Sequence, residues 1–361
     1  MKLDPASIVR RRLHAQRLTG TPFATPAQAV AWSAAVQAQE HAQALWSLGM
    51  RVRDHDEAAV QAACDRGEII RTHVLRPTWH FVAAADLRWM LRLTGPRVQA
   101  KDAGRLRSLG LDESTLARVH EVLASTLADG EPRTRRELAA TLEAAGIDTG
   151  VQRIAHAVVH AELGGVLCSG PRRGKQHTYL PLDGHVPPAP EREREDDVAE
   201  LALRYFASHG PATLRDFAWW SGLTIADGRA GVAAADDRLE SLADEHGTPW
   251  VAAAGGDAAG PPEPRGALLL GTYDELLVAY RDLRTVDVDG EPGTELFQRR
   301  VLLDGRAAGR WTRRPSAREA LVEVELDRPP TAPQRAALQA AADRFGAFVG
   351  VPARLALLAP R

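Results

Sequence analysis

The sequence predicts an α+β chain, mainly α, in which one helix–helix–helix–ribbon unit recurs three times before a smaller β-rich domain. Three observations predict it. Segments with helix-start chemistry and apolar positions at helical spacing come in groups. The first two groups end in paired runs of β-branched and aromatic residues around Gly or Pro turns, and the third ends in a single such run. Beyond about residue 265 the grouping stops, and short strand-like runs separated by turn residues take over. A repeat of this kind is stronger evidence than any one of its copies.

The bulk numbers set the frame. A chain of 361 residues, 45% hydrophobic and 25% charged, has the make-up of a soluble globular protein of two or three structural units. No apolar run is long enough to span a membrane, and Met1-Lys2-Leu3-Asp4 lacks the apolar core of a signal peptide. Cys64 and Cys168 stand far apart and form no Cys-x-x-Cys pair, so a cytoplasmic protein with buried thiols is expected. The net charge of −2 excludes a uniformly basic nucleic-acid binder; any phosphate-binding face has to be a local patch.

The first unit is expected over residues 1–100. In its first twenty residues Lys2, Arg10, Arg11, Arg12 and Arg17 stand against Asp4 alone, and Ile8, Leu13 and Leu18 suggest an amphipathic helix with a basic side. Thr25 suits an N-cap and Pro26 a first helical position, for a helix running to about Ala34. Another begins after Gln39 and stops at Gly49, a candidate C′ residue. Between them lies Val36-Gln37-Ala38-Gln39-Glu40-His41. In a continuous helix Gln37 and Gln39 point to nearly opposite sides, whereas in extended backbone both face one side. A helix–connection–helix reading therefore lets two amides share a pocket, where they can hold a water or grip a base edge. An ordinary polar helix junction is the plain alternative. Asp56 to Arg66 reads as a third helix, and Ile69–Leu75 and Thr78–Val82 as two strands around Arg76-Pro77, the layout of a winged helix. Alternation puts Trp79 and Phe81 on the core face and Thr78 and His80 on the face left for a ligand.

The second unit is expected over 101–185. Asp112 to Leu127 is helical, Thr134 with Glu137 forms a capping box for a helix ending at Gly146, and Val151 to Leu163 gives a third. Val166–Ser169 and His177–Leu180 then pair around Gly170 to Gln176. That tip carries Arg172, Arg173 and Lys175 without a carboxylate, a composition suited to phosphate contact; a merely solvated hairpin is the alternative. The third unit, 186–265, follows a Pro-rich break at Val186–Pro190. The acidic run Glu191 to Asp197 opens a helix to His209, Gly210 to Asp216 opens the next, which holds Trp219 and Trp220, and Leu223 to Leu242 reads as one more. Pro249 to Ala253 is a strand, and Ala254 to Pro264 reads as a mobile loop. Over 266–361 the runs Ala267–Leu270, Val301–Asp304, Ala308–Trp311 and Leu321–Leu326 read as strands, with a hairpin turn at Asp304-Gly305. A helix from Ala332 to Phe345 and a last strand at Arg354–Leu358 complete a small β-rich domain.

Other motifs are weaker. His156 and His160 stand one helical turn apart, but position 157 is Ala and no third ligand has a convincing spacing, so zinc is not expected. Phosphate-loop and dinucleotide fingerprints are absent, as is a nucleophile elbow. Tyr273-Asp274-Glu275 offers adjacent carboxylates as weak acid–base candidates.

Several stretches together resemble the bacterial winged-helix superfamily that contains the AlkZ-type DNA glycosylases. They are Val36-Gln37-Ala38-Gln39, Leu75-Arg76-Pro77-Thr78-Trp79-His80-Phe81-Val82, Cys168 to Lys175, Tyr205 to Thr213 with Asp216, Tyr273 to Leu277, and Val301 to Gly305 with Trp311. The resemblance implies three tandem winged-helix units and a C-terminal barrel-like β domain. It implies that Gln37 and Gln39 match a catalytically required Gln-x-Gln motif; Glu40 stands where many relatives have Asp. Many members are known only as DNA-binding proteins. The expectation is thus a monomeric, cofactor-free glycosylase acting on alkylated purines in double-stranded DNA, including bulky adducts or interstrand crosslinks. Gln37 and Gln39 would be catalytic, and Thr78, His80, Arg172, Arg173 and Lys175 DNA-binding. A non-catalytic winged-helix DNA-binding protein or regulator is the alternative.

Overall fold

The computed structural model describes residues 2–54, 56–150, 152–255, 260–283, 285, 298–315 and 318–358. The expected mobile loop falls partly outside them, at 256–259. The chain opens with β1 (Lys2–Leu3) and α1 (Pro5–Ala15), the helix started by a capping box between Asp4 and Ser7. Then come α2 (Pro26–Ser33), β2 (Val36–Gln37), α3 (His41–Gly49), α4 (Glu57–Asp65) and the hairpin β3 (Ile69–Val74)–β4 (Arg76–Ala83). The long helix α5 (Ala84–Ser108) leads into α6 (Glu113–Leu127), β5 (Arg133–Thr134), α7 (Arg135–Ala144), α8 (Arg153–Leu163) and the hairpin β6 (Leu167–Arg173)–β7 (Gln176–Pro181). Next are α9 (Arg194–His209), α10 (Leu214–Ser221), α11 (Ile225–Ala234) and the hairpin β8 (Leu239–Asp244)–β9 (Pro249–Ala253). The same order, helix, short extended link, two helices, hairpin, thus occurs three times. In the third copy the link is a single bridge from Ala212 to Val251.

Sheet pairing follows the repeat. β2-β4-β3 and β5-β7-β6 are three-stranded sheets with the short link strand outermost beside the hairpin's second strand. The third sheet, β1-β8-β9, borrows its outer strand from the start of the chain, where β1 lies parallel to β8. The remaining strands β10 (Ala267–Leu269), β11 (Arg300–Leu303), β12 (Arg306–Pro315), β13 (Ala320–Leu326) and β14 (Ala353–Leu358) form one sheet in that order. They are accompanied by a single turn, α12 (Glu275–Val278), and by α13 (Ala332–Val349). Asp304 and Gly305 both take positive φ at the β11–β12 turn, as a two-residue hairpin of this sequence requires.

Three sequence readings need correction. Arg12 is not on a solvated basic side: it is 1% exposed, its guanidinium carbon lies 3.5 Å over the Tyr280 ring, and its Nε donates to the Pro211 carbonyl. Gly49 ends α3 in helical geometry and is not a C′ residue. A Cβ there would stand 2.4 Å from a Phe348 ring carbon, so glycine serves the close approach of α13. The expected helix Leu223–Leu242 stops at Ala234, because Asp236 takes positive φ and Leu239–Asp244 pairs on both sides, with β9 and with β1. Residue 100 lies within α5, whose buried side chains Leu87, Trp89, Met90, Leu91 and Leu93 succeed one another without a single apolar face.

One large apolar core joins the first unit, the third unit and the C-terminal sheet; Trp46 packs at 5.1 Å on Phe345 and 5.2 Å on Phe348. The second unit keeps its own core around Val119, Leu123, Leu127, Leu138 and Leu142. Trp79, read as plain core, is half-buried and packs against both. The glutamine strand therefore lies close to a seam between two cores.

Candidate active site around two glutamines

β2 forms because Ala34, at φ 60, turns the chain out of α2 and leaves Val36 and Gln37 opposite Phe81 and His80. Ala38 N–H then donates to the Trp79 carbonyl at 2.7 Å. Since successive strand amides point to opposite edges, the Gln37 N–H is turned away from β4. It meets the Glu275 carboxylate, donating to Oε1 at 2.6 Å. The glutamine link is held on its other side by Arg71 of β3, which donates from Nε to the Ala38 carbonyl at 3.0 Å and from Nη2 to the Gln39 carbonyl at 3.3 Å. The Arg71 guanidinium lies 4.0 Å over the Trp79 ring, and burial brings its pKa down to about 10.

The two glutamines are brought to one short segment but to different depths. Gln37 is 6% exposed, and its Oε1 is buried without a hydrogen-bond partner among the described residues. Gln39 is exposed, and its Oε1 accepts from the Trp79 N–H at 3.4 Å. His80, read from sequence as facing a ligand, is 0% exposed; Nδ1 meets the Thr78 carbonyl at 2.9 Å, and Nε2 has no partner among the described residues. Burial, with the charge of Arg76, holds its pKa well below 6.5, so the ring is neutral. Thr78 is half-buried with its Oγ1 also unpartnered. Unpaired buried polar atoms are uncommon and mark places where a polar group can be received.

Glu275 is what sequence reasoning undervalued. Its neighbour Asp274 is a structural residue: it accepts from Arg51 at 2.9 Å with each oxygen, from Ser47 at 2.7 Å and from the Leu276 N–H. Burial opposes its ionisation, but the Arg51 guanidinium outweighs that and holds its pKa below the usual range. Glu275 is 1% exposed; besides Gln37 it accepts from Trp220 Nε1 at 3.1 Å with Oε2, which lies 3.4 Å from His209 Nε2. Arg76 is half-buried, with Nε and Nη2 buried and unpartnered among the described residues, and burial lowers its pKa against the opposing charge of Glu275. Adjacent carboxylates in one tripeptide gave no signal to tell these roles apart.

The basic hairpin is longer than expected. β6 and β7 run to Arg173 and Gln176, leaving a two-residue turn at Gly174-Lys175 with Gly174 at φ 62. Its cations are unequal. Arg173 pairs with Glu137 at 2.8 Å, and Arg172 donates to the Lys175 carbonyl, while Lys175 is exposed. His156 and His160 take separate partners, Asp102 at 2.8 Å and His120 at 2.9 Å. Burial pushes both thiols, Cys64 and Cys168, up to about 12.

Comparison with curated protein sequences gives no match. The fold is similar over 99% of this chain and 100% of that one to the Streptomyces sahachiroi DNA glycosylase AlkZ, with a TM-score of 0.79 and 21% identity. The family model described as DNA glycosylase AlkZ-like matches residues 30–348, a span that holds both glutamines, the β3–β4 hairpin, the basic hairpin and Glu275. The chain belongs to the AlkZ-like DNA glycosylase family.

Proposed function

We propose that the protein is a monofunctional DNA repair glycosylase that hydrolyses the N-glycosidic bond of alkylated purines in duplex DNA. In this reading Gln37 and Gln39 orient the attacking water. The three repeats are read as winged helices, and the C-terminal sheet with α13 as the barrel-like domain. One observation carries the reading: within a chain of this family, the Gln37 amide oxygen is buried without a partner among the described residues while Gln39 stands exposed two residues on, and both sit on a backbone clamped from two sides.

Glutamine cannot act as a general base, so an unmodified nucleoside would need a carboxylate to take the proton of water. A purine alkylated at N7 or N3 is already cationic. Its bond to C1′ breaks with the electron pair passing to the base, which leaves neutral, and the sugar becomes oxocarbenium-like. Water then adds at C1′ and releases a proton. Oriented amides suffice to place that water and stabilise the charge. Bulky N7-guanine adducts and interstrand crosslinks fall within the same chemistry. No metal or cofactor is required by it. Thr78, at the edge of the site, is assigned to the damaged nucleotide. His80, buried opposite Gln37, belongs to the wall behind it rather than to the duplex. Arg172, Arg173 and Lys175 are assigned to phosphates.

The test is to incubate the protein with duplex DNA carrying N7-alkylguanine and measure abasic sites. Gln37→Ala and Gln39→Ala should each slow excision by about 10²–10³ while duplex affinity and thermal stability hold. The double variant should be no slower than the poorer single one. Wild-type rates in both single variants would leave a DNA-binding protein without this activity.

A further inference from the structure

β2 is the outer strand of its sheet, and among the described residues no strand lies along its other edge. A strand edge left in that state frays or pairs elsewhere unless something covers it. Here the cover is a single carboxylate that arrives 238 residues later in the chain, Glu275 Oε1 at 2.6 Å from the Gln37 N–H. The carboxylate is itself fixed. Trp220 Nε1 donates to Oε2 at 3.1 Å, Asp274 is anchored to Arg51 and Ser47 one residue before it, and the side chain is 1% exposed. A backbone carbonyl or a hydroxyl would satisfy an N–H at lower desolvation cost. A buried carboxylate makes a shorter, stronger, charge-assisted bond.

We infer that Glu275 is a positioning residue for the glutamine pair: through the Gln37 N–H it fixes the extended backbone that aims both amides. The inference rests on the catalytic reading of Gln37 and Gln39 given above. The other contacts of the segment agree with it. Arg71 grips the carbonyls of Ala38 and Gln39, and the Trp79 backbone grips Ala38, whereas the outward hydrogen bond of Gln37 comes from outside its own unit. Its burial keeps Glu275 away from solvent and off the substrate, so it acts through Gln37.

Three substitutions test this in the full chain, with single-turnover excision of N7-alkylguanine, duplex Kd and Tm measured for each. Glu275→Ala removes the acceptor and should slow excision by about 10²-fold, the scale of a misplacement of roughly an ångström, with Kd unchanged. Glu275→Gln keeps an acceptor for the Gln37 N–H and should recover most of that loss. Glu275→Asp keeps the charge but withdraws the carboxylate, and should slow excision by about tenfold; it also serves where the alanine variant does not fold. Glu275→Ala combined with Gln37→Ala should be no slower than Gln37→Ala alone. Wild-type rates in the alanine and aspartate variants, with Gln37→Ala inactive, would overturn the positioning role alone. Losses that multiply in the double variant would overturn the route through Gln37. A Gln37→Ala variant at the wild-type rate would instead overturn the reading of the glutamines on which this one stands.

Discussion

Val36–Gln37 and Arg133–Thr134 take the same place in two successive units: each is the outer strand of a three-stranded sheet, beside the second strand of its hairpin. They are held by different means. Thr134 is secured locally, its N–H donating to Glu137 Oε2 at 2.6 Å and its Oγ1 accepting from the Glu137 N–H three residues on. Gln37 is secured from across the molecule by Glu275, and the link that follows it by Arg71. A local cap is enough to start a helix. Holding a good helix former such as glutamine in an extended, buried link takes partners that are themselves immobilised. The difference separates a strand that serves the fold from one that the fold serves.

The comparison breaks first where the long-range support is removed. Asp274→Ala leaves the Arg51 guanidinium, 1% exposed in its side chain, without its carboxylate. We expect a loss of about 3–5 kcal/mol in urea unfolding, with the Glu275 turn affected before the second unit. A loss under about 1 kcal/mol would show that this anchor is dispensable. The local support is smaller. Thr134→Ala removes the cap of α7 and should cost about 1 kcal/mol while excision stays at the wild-type rate. A fall in excision there would erase the contrast between the two strands.

The hairpin of the second unit sharpens the comparison from the DNA side. Lys175→Ala should lower the slope of log Kd against log salt by about one unit. Arg173→Ala should lower it by less, because that charge is shared with Glu137, whose pKa the Thr134 N–H and Arg173 draw down to about 2. Equal slopes for both variants and the parent would remove the hairpin from the interface. Smallest is a pH effect at the seam. His41 and His177, 5.4 Å apart, are held by burial and by Arg71 at pKa values of about 4 and about 3. The unfolded chain therefore binds their protons first. Stability from these groups is complete above the ordinary value of 6.5 and declines as pH falls toward 4 and then 3. Tm measured over that range should fall, and His177→Gln should flatten the fall; an unchanged slope would mean the ring is not held neutral by its surroundings.

Local chemistry was legible in the sequence. Thr25 and Thr134 start their helices as their side chains predict, and Asp304-Gly305 makes its turn. Each depends on residues within a few positions. What the sequence hid is non-local. No pattern in Lys2-Leu3 announces a parallel pairing with Ala243 and Asp244. Helix α5 escaped because its apolar residues meet neighbours on several sides, which erases the periodicity that reveals a helix. At the site, spacing left an extended link at Gln37 and an ordinary polar helix junction both open, and the depth difference between Gln37 and Gln39 depends on what packs outside the strand. The choice between Asp274 and Glu275 depends likewise on Arg51, Ser47 and Trp220, none of them near in sequence.

The 238-residue reach from Gln37 to Glu275 also has a meaning in time. At ribosomal rates of about 5–20 residues per second, the glutamine link is made on the order of 10–50 s before its carboxylate partner is synthesised. For that interval the first unit can fold on its own hairpin while the outer edge of β2 stands open. Completion of the site then waits for the Glu275 turn, so a ribosome-bound chain halted before Glu275 would carry both glutamines without the contact that secures Gln37.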